Sequence, residues 1–260
     1  MRKSLVNICG AVLIIAIYVS HFGTVRYAYE VQSVRLFPSA ERAFAYGERY
    51  FNAKNETDYN ISRAEYFFGK TADIDVTTPY LFHELARIAF LKGDFEVAMA
   101  LINSQIELMG DSAPNSYYIR ALIEGYKGDY AASARDYKYF LQFHPTNWAA
   151  VNDYAWVLLK AGNAREASEA TARALEWFPT NPWLLNTNAT ALFEVQDYTG
   201  ALASAQKASS EVAKISEKDW LRAYPGNDPK TASEGVVAFK QAIQNNVHSI
   251  TLALHSFEVQ

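Results

Sequence analysis

One cysteine, Cys9, stands in 260 residues, so neither an intramolecular disulfide nor a thiolate zinc cage can form. Lysine and arginine together (24) are outnumbered by aspartate and glutamate (28), and no basic run occurs anywhere. Without such a run nothing neutralises a phosphate backbone, which excludes nucleic acid as the partner. The chain also lacks a phosphate-binding glycine loop, a dinucleotide fingerprint and a nucleophile elbow. His83-Glu84 opens like a zinc-protease helix, but Arg87 stands where the second histidine would be needed. His248 and His255, seven apart, read as one face of an ordinary amphipathic helix. The expectation is therefore no cofactor, no metal and no catalysis. Half the residues are hydrophobic and only 20% are charged, which excludes a disordered chain.

Charge is missing altogether between Lys3 and Arg26. As a helix, the stretch from Ser4 to Val25 would be about 33 Å long, enough to cross a bilayer core. A basic start followed by an apolar run also fits a secretory signal. However, Tyr18-Val19-Ser20 and Arg26-Tyr27-Ala28 each supply only one of the two small residues that cleavage requires. The reading is an uncleaved anchor over residues 5–25 behind a basic stub, 1–4. Arg2 and Lys3 place the N-terminus in the cytoplasm and the bulk of the chain outside. Secretion after cleavage is the alternative. Residues 26–38 read as a linker that covers the first repeat, and Pro38 ends it.

What the chain has in abundance is repetition. Four turns superpose: Leu91-Lys92-Gly93-Asp94-Phe95, Tyr126-Lys127-Gly128-Asp129-Tyr130, Lys160-Ala161-Gly162-Asn163-Ala164 and Glu194-Val195-Gln196-Asp197-Tyr198. Their third positions are 35, 34 and 34 residues apart. Before the third turn, Trp148, Val151, Tyr154, Ala155 and Leu158 recur with helical period. Gly162 ends that helix, since it tolerates the left-handed conformation of a C-terminal cap. A second helix carries Ala167, Ala170, Thr171, Ala174 and Leu175 on one face. Pro179 stops it, and Asn181 is placed to cap the next helix. Small residues at Ala155 and Ala167 let the two helices approach closely.

These residues resemble the tetratricopeptide repeat. Ala155, Gly162, Ala167, Ala174 and Pro179 stand at that family's small, turn and proline positions. The unit from Pro79 carries Ala86, Gly93 and Ala98. The unit from Pro182 carries Ala189, Ala201 and Ala208, with Gln196 in place of the glycine. The unit from Pro114 is looser: Ala121, Gly128 and Pro145 fit, while Ser133 replaces an alanine. A degenerate fifth unit is read upstream, from Ala45-Tyr46-Gly47 and Ala64-Glu65-Tyr66, with its turn enlarged around Asn55 to Asp58. The array spans 39–215. The resemblance implies an all-α, right-handed superhelical solenoid of about five hairpins, preceded by the one transmembrane helix. Within 216–260, Ser216 to Lys230 reads as an irregular connection. Thr231 to Glu258 reads as a helix that covers the last repeat, because solenoid ends otherwise leave apolar surface wet.

The resemblance further implies that the first helix of each hairpin lines a concave groove where a partner's peptide lies. The groove positions give Arg87, Tyr118, Asn152, Trp156, Trp183 and Asn186 as candidate binding residues. Asn152 and Asn186 are 34 apart, and an amide's donor and acceptor suit an extended backbone. The tryptophans would supply apolar pockets. Against this stands a packing role for both residue types. The functional expectation is a membrane-anchored scaffold that binds a protein or an extended peptide during assembly of a cell-envelope complex. A self-associating structural subunit is the alternative. A third reading, an accessory subunit of an enzyme or transporter, rests on Trp220, Arg222 and Asp228. Three Asn-x-Ser/Thr sequons occur, at Asn55, Asn60 and Asn188, the last of them inside an expected helix.

Overall fold

The computed structural model describes residues 23–52, 56–224 and 226–258, and every regular element among them is helical. The chain divides into two units, Met1–Leu81 and Phe82–Gln260. Among the described residues no helix is long and apolar enough to cross a membrane. The run expected as an anchor, 5–25, lies outside the described residues except for its last three.

The N-terminal unit holds helix α1 (residues 23–36), α2 (Ala40–Phe51) and α3 (Ile61–Ile74). The stretch expected as a linker is thus mostly helix, and Pro38 follows its end. Ser39 caps α2 through the Arg42 amide, and Asn60 caps α3 through the Arg63 amide. Helices α2 and α3 form the upstream hairpin. Gly47 lets them close: a Cβ there would lie 2.5 Å from the Phe68 ring. Helix α1 docks through Glu30, which is 1% exposed. Glu30 accepts a 2.6 Å bond from the Tyr50 hydroxyl and pairs with Arg49. The residues expected in the enlarged turn include Asn55, which lies outside the described residues.

The second unit is a run of hairpins. Their first helices are α4 (Leu81–Leu91), α6 (Pro114–Lys127), α8 (Trp148–Lys160) and α10 (Pro182–Glu194), with starts 33, 34 and 34 residues apart. The second helices are α5 (Phe95–Met109), α7 (Tyr130–Phe143), α9 (Ala164–Trp177) and α11 (Tyr198–Val212). Ala86, Ala121, Ala155 and Ala189 are all fully buried, as are Ala98, Ala167 and Ala201. The small positions read from the repeat therefore all lie inside the helix packing. Asn147 and Asn181 cap α8 and α10, each accepting from backbone amides at 3.0–3.1 Å.

The four turns share one hydrogen-bond pattern. Asp94, Asp129, Asn163 and Asp197 each donate their amide five residues back, at 2.8–2.9 Å. The preceding residue is left-handed in all four: Gly93 at φ 81°, Gly128 at 87°, Gly162 at 79° and Gln196 at 66°. A side chain at Gln196 strains a position that glycine adopts freely. Gln196→Gly should therefore stabilise the unit by about 1 kcal/mol. Differential scanning calorimetry would check this, and an unchanged or lower midpoint would refute it.

Beyond α11 the chain departs from the expected irregular connection. It forms a short helix, α12 (Glu217–Ala223), begun by a capping box between Ser216 and Asp219. Helix α13 (Ala232–Glu258) then covers the end of the array. Its Ile243 and Ile250 are buried against α10 and α11, with Phe239 and Val247 packed beside them. Gln241, Gln244, Asn245 and His248 face outward and are exposed. Helix α13 thus stands where the first helix of a further hairpin would stand, with a polar outer face.

Candidate functional site

The first helices α4, α6, α8 and α10 are joined to one another by a recurring polar bond. His83 Nδ1 lies 3.2 Å from the Ser116 hydroxyl. The Tyr118 hydroxyl donates to Asp153 at 2.7 Å, and the Thr187 hydroxyl donates to Asn152 at 2.8 Å. The Asn246 amide of α13 donates to Asn186 at 2.9 Å. His83, Tyr118, Asn152 and Asn186 occupy the same place in successive units, so each forms a rung to the next helix. The structure therefore engages the two aligned asparagines in packing through their carbonyl oxygens.

The remaining candidates fall in different surroundings. Trp156 is 40% exposed, and its indole meets the Tyr130 edge at 6.2 Å. The Lys160 ammonium sits 5.6 Å from the same ring, in cation–π range. Arg87 is half-buried and binds Glu84 at 2.7 Å. Trp183, by contrast, is 7% exposed. It is stacked on Phe239 of α13 at 5.0 Å and lies near Trp148 at 5.3 Å. As the structure stands, it offers no open pocket.

Two further residues belong to this face and were not expected there. Tyr126 is 64% exposed and packs edge-on against Phe90 at 5.0 Å. Asp153 sits half-buried among Tyr118, Asn152 and neighbouring rings. Burial pushes its carboxyl up to about 6, against the hydrogen bonds from Tyr118 and Asn152. Its 35-residue separation from Tyr118 in sequence was the available signal, since that is one repeat plus one residue.

A serine beside a histidine invites a catalytic reading, which His83 and Ser116 do not support. Ser116 is fully buried and His83 is 7% exposed, so no substrate reaches them. Burial, with a smaller contribution from Arg87, holds the His83 imidazole down to about 3, so it stays neutral near pH 7. This has a stability consequence. The folded-state value lies below the unfolded one of 6.5, so the unfolded chain binds the extra proton. His83 therefore costs nothing above pH 7, and stability is lost as pH falls from about 6.5 towards 3. Between pH 7 and 5 the wild type should lose about 2 kcal/mol relative to His83→Gln. Urea unfolding at the two pH values checks it, and parallel behaviour of the two proteins would refute it.

Other polar groups are also accounted for by packing. Asn188 is 8% exposed and bonded to Thr171 and Ser204, so its sequon is closed to a glycan. Asn60 is engaged as a helix cap. Among the described residues no group of three His, Cys, Asp or Glu side chains is placed to hold a metal.

Residues 126–182 match the tetratricopeptide repeat model. No curated protein matches the chain by sequence. Among solved structures, the chain is similar to YrrB, described as a TPR protein with an unusual peptide-binding site. That likeness has 12% identity and a TM-score of 0.58, and covers 70% of this chain and 91% of YrrB. It is also similar to two structures of MamA. One has 15% identity and a TM-score of 0.55, covering 67% of this chain and 94% of that one. The other has 16% identity and a TM-score of 0.55, covering 63% and 95%. At these identities the likeness is one of fold: a tetratricopeptide-type helical repeat.

Proposed function

We propose that the chain is a non-enzymatic interaction scaffold that takes an extended segment of a partner protein along the faces of α6 and α8. One observation carries this reading. Trp156 and Tyr126, both exposed, stand on the same series of helices as the half-buried Tyr118–Asp153 pair. Aromatic faces that remain wet in the folded unit form a surface that gains by being covered. Arg87 lies on α4, in the same series of first helices. YrrB, of the same fold, is described as having a peptide-binding site, which supports the class of ligand.

The asparagine rungs make Asn152→Ala with Asn186→Ala a poor test, because that change would also loosen the array. Trp156→Ala and Tyr126→Ala are better, since exposed side chains cost little stability when truncated. Each should weaken capture of the partner about tenfold or more in a crosslinking pull-down, as expected for aromatic anchors. Unchanged capture would overturn the placement.

In this reading residues 5–25 hold the chain in a bilayer, with the array on the extracytoplasmic side, where it serves assembly of an envelope complex. The support is the uncharged run itself, behind Arg2 and Lys3. Alkaline extraction of membranes should leave the full chain in the pellet. A chain shortened to residues 28–260 should be released.

A further inference from the structure

Helix α1 is apolar on two opposite sides. On its inner side Val34 is buried with Glu30, and the Tyr27 ring meets Phe67 of α3 edge-on at 5.8 Å. Its outer side carries Val25, Tyr29, Gln32 and Leu36, at intervals of four, three and four, which place them on one face. Phe37 follows at the end of the row. Val25, Tyr29, Leu36 and Phe37 are each between 64% and 70% exposed, and no other large apolar side chain described in this unit exceeds 50%. Single exposed apolar residues are ordinary, whereas a row of them marks a surface that something covers.

Charge is kept off the row and set at its edges. Arg26 turns to the inner side, where it pairs with Asp58 and approaches Glu30. Arg35 and Arg42 are exposed at the Leu36–Phe37 end, and the Arg42 guanidinium donates to the Phe37 carbonyl at 2.9 Å. Glu41 is the exposed acidic residue next to them. An apolar row rimmed by arginines has the make-up of a helix that lies in the plane of a bilayer surface.

The chain itself brings such a surface within reach. The uncharged run that starts at Ser4 ends at Val25, and Val25 is already inside α1 as the first member of the row. No linker separates the two. With that run in a bilayer, the first turn of α1 is at its boundary, and Leu36 is only about 17 Å further along the helix. So short a tether gives lipid a far higher effective concentration at the row than any freely diffusing protein has.

We propose that the outer side of α1 lies along the membrane surface, with Val25, Tyr29, Leu36 and Phe37 inserted among the lipid headgroups and upper acyl chains. This rests on the anchor reading and adds to it: the bilayer becomes a partner of the folded N-terminal unit and holds it in one orientation. Tyr29 suits this seat, because its ring enters the apolar layer while its hydroxyl stays wet. Arg35 and Arg42 supply the positive charge that lipid phosphates attract.

The test uses the full chain in vesicles of equal parts phosphatidylcholine and phosphatidylglycerol. Cys9→Ser removes the native thiol, and an environment-sensitive fluorophore is attached through Leu36→Cys or, in a second chain, Ile14→Cys. Leu36 is exposed, so its replacement costs little stability. The label at 36 should be quenched by lipids that carry a nitroxide near the headgroup, and less by lipids that carry it deep in the acyl chain. Quenching by the deep nitroxide at 14 reports the anchor independently. An unquenched label at 36 beside a quenched one at 14 overturns the proposal and leaves the anchor standing. A label at 36 that shifts to the blue without lipid quenching also overturns it, because protein then covers the row. Quenching at 36 but not at 14 upholds the surface contact and removes the anchor, and quenching at neither removes both.

Discussion

Phe67→Ala should cost the N-terminal unit about 3–5 kcal/mol, enough to unfold it. Phe67 is fully buried, and four tyrosine rings surround it. Tyr46 and Tyr66 lie at 5.2 Å, Tyr27 at 5.8 Å edge-on, and Tyr50 at 5.9 Å in a parallel stack. Removing the ring deletes its transfer energy and leaves a cavity that large, rigid neighbours cannot collapse to fill. The loss reaches the polar side of the unit as well. Tyr50, which stacks on Phe67, carries the hydroxyl that satisfies buried Glu30. A three-helix unit with so small a core has little stability in reserve. All five tryptophans lie at or beyond residue 148, so the measurement is hydrogen exchange of the α2 and α3 amides. Protection there should vanish in Phe67→Ala and survive in Phe67→Leu. Retained protection in the alanine variant would show that α1 is not seated on this ring.

Glu124→Gln should stabilise the second unit by about 1–3 kcal/mol at pH 8. In α6, Arg120 and Glu124 occupy interior-facing positions where the neighbouring units place apolar residues. Arg120 forms a two-bond pair with Asp136 of α7, at 2.5 and 3.0 Å. That leaves Glu124 with a 3.9 Å contact to Arg120 and one buried oxygen that has no hydrogen-bond partner. Burial, then Asp136, push the Glu124 carboxyl up to about 7. The folded value lies above the unfolded one of 4.5, so the folded chain holds the extra proton. Stability therefore falls as pH rises from about 4.5 to 7 and stays reduced above that. An amide carries no charge to desolvate or repel, so the variant's advantage should grow over that range and level off above pH 7. Guanidinium unfolding followed by tryptophan fluorescence at pH 5 and 8 measures it. An advantage that is equal at both values, or absent, would contradict the account.

The unit from Pro114 looked loose in sequence because Ser133 replaces an alanine. Ser133 is fully buried and its hydroxyl donates to the Ala121 carbonyl, so the position keeps a small side chain and adds a bond between the two helices. The period itself was legible because it is local: glycine at a left-handed turn, alanine where helices touch, asparagine at a cap. Even Gln196 could be assigned by spacing, although its residue type argues against that backbone. The rungs were less legible. A hydrogen bond between Asn152 and Thr187 depends on how one repeat sits on the next, and the 34-residue recurrence of asparagine fits a ligand as well as it fits a neighbour. The choice between a pocket and a packing role for Trp183 was illegible for a similar reason. Its cover, Phe239 and Tyr224, comes from 41 to 56 residues downstream. Helix α12 did leave a signal, since Ser216 followed three residues later by Asp219 is a capping pattern. The surrounding Pro and Gly residues masked it.

The groove competes with one other face for the partner. Leu108, Phe143 and Trp177 hold the same place at the ends of α5, α7 and α9, and all are exposed, Trp177 by 71%. They form an apolar series on the second helices, as Tyr126 and Trp156 do on the first. The two surfaces are separated most directly by placing a photo-crosslinking amino acid at Trp156 in one full chain and at Trp177 in another, expressed in the native cell. The account predicts a discrete partner adduct from position 156 that is absent from position 177. An adduct from 177 with none from 156 would contradict it.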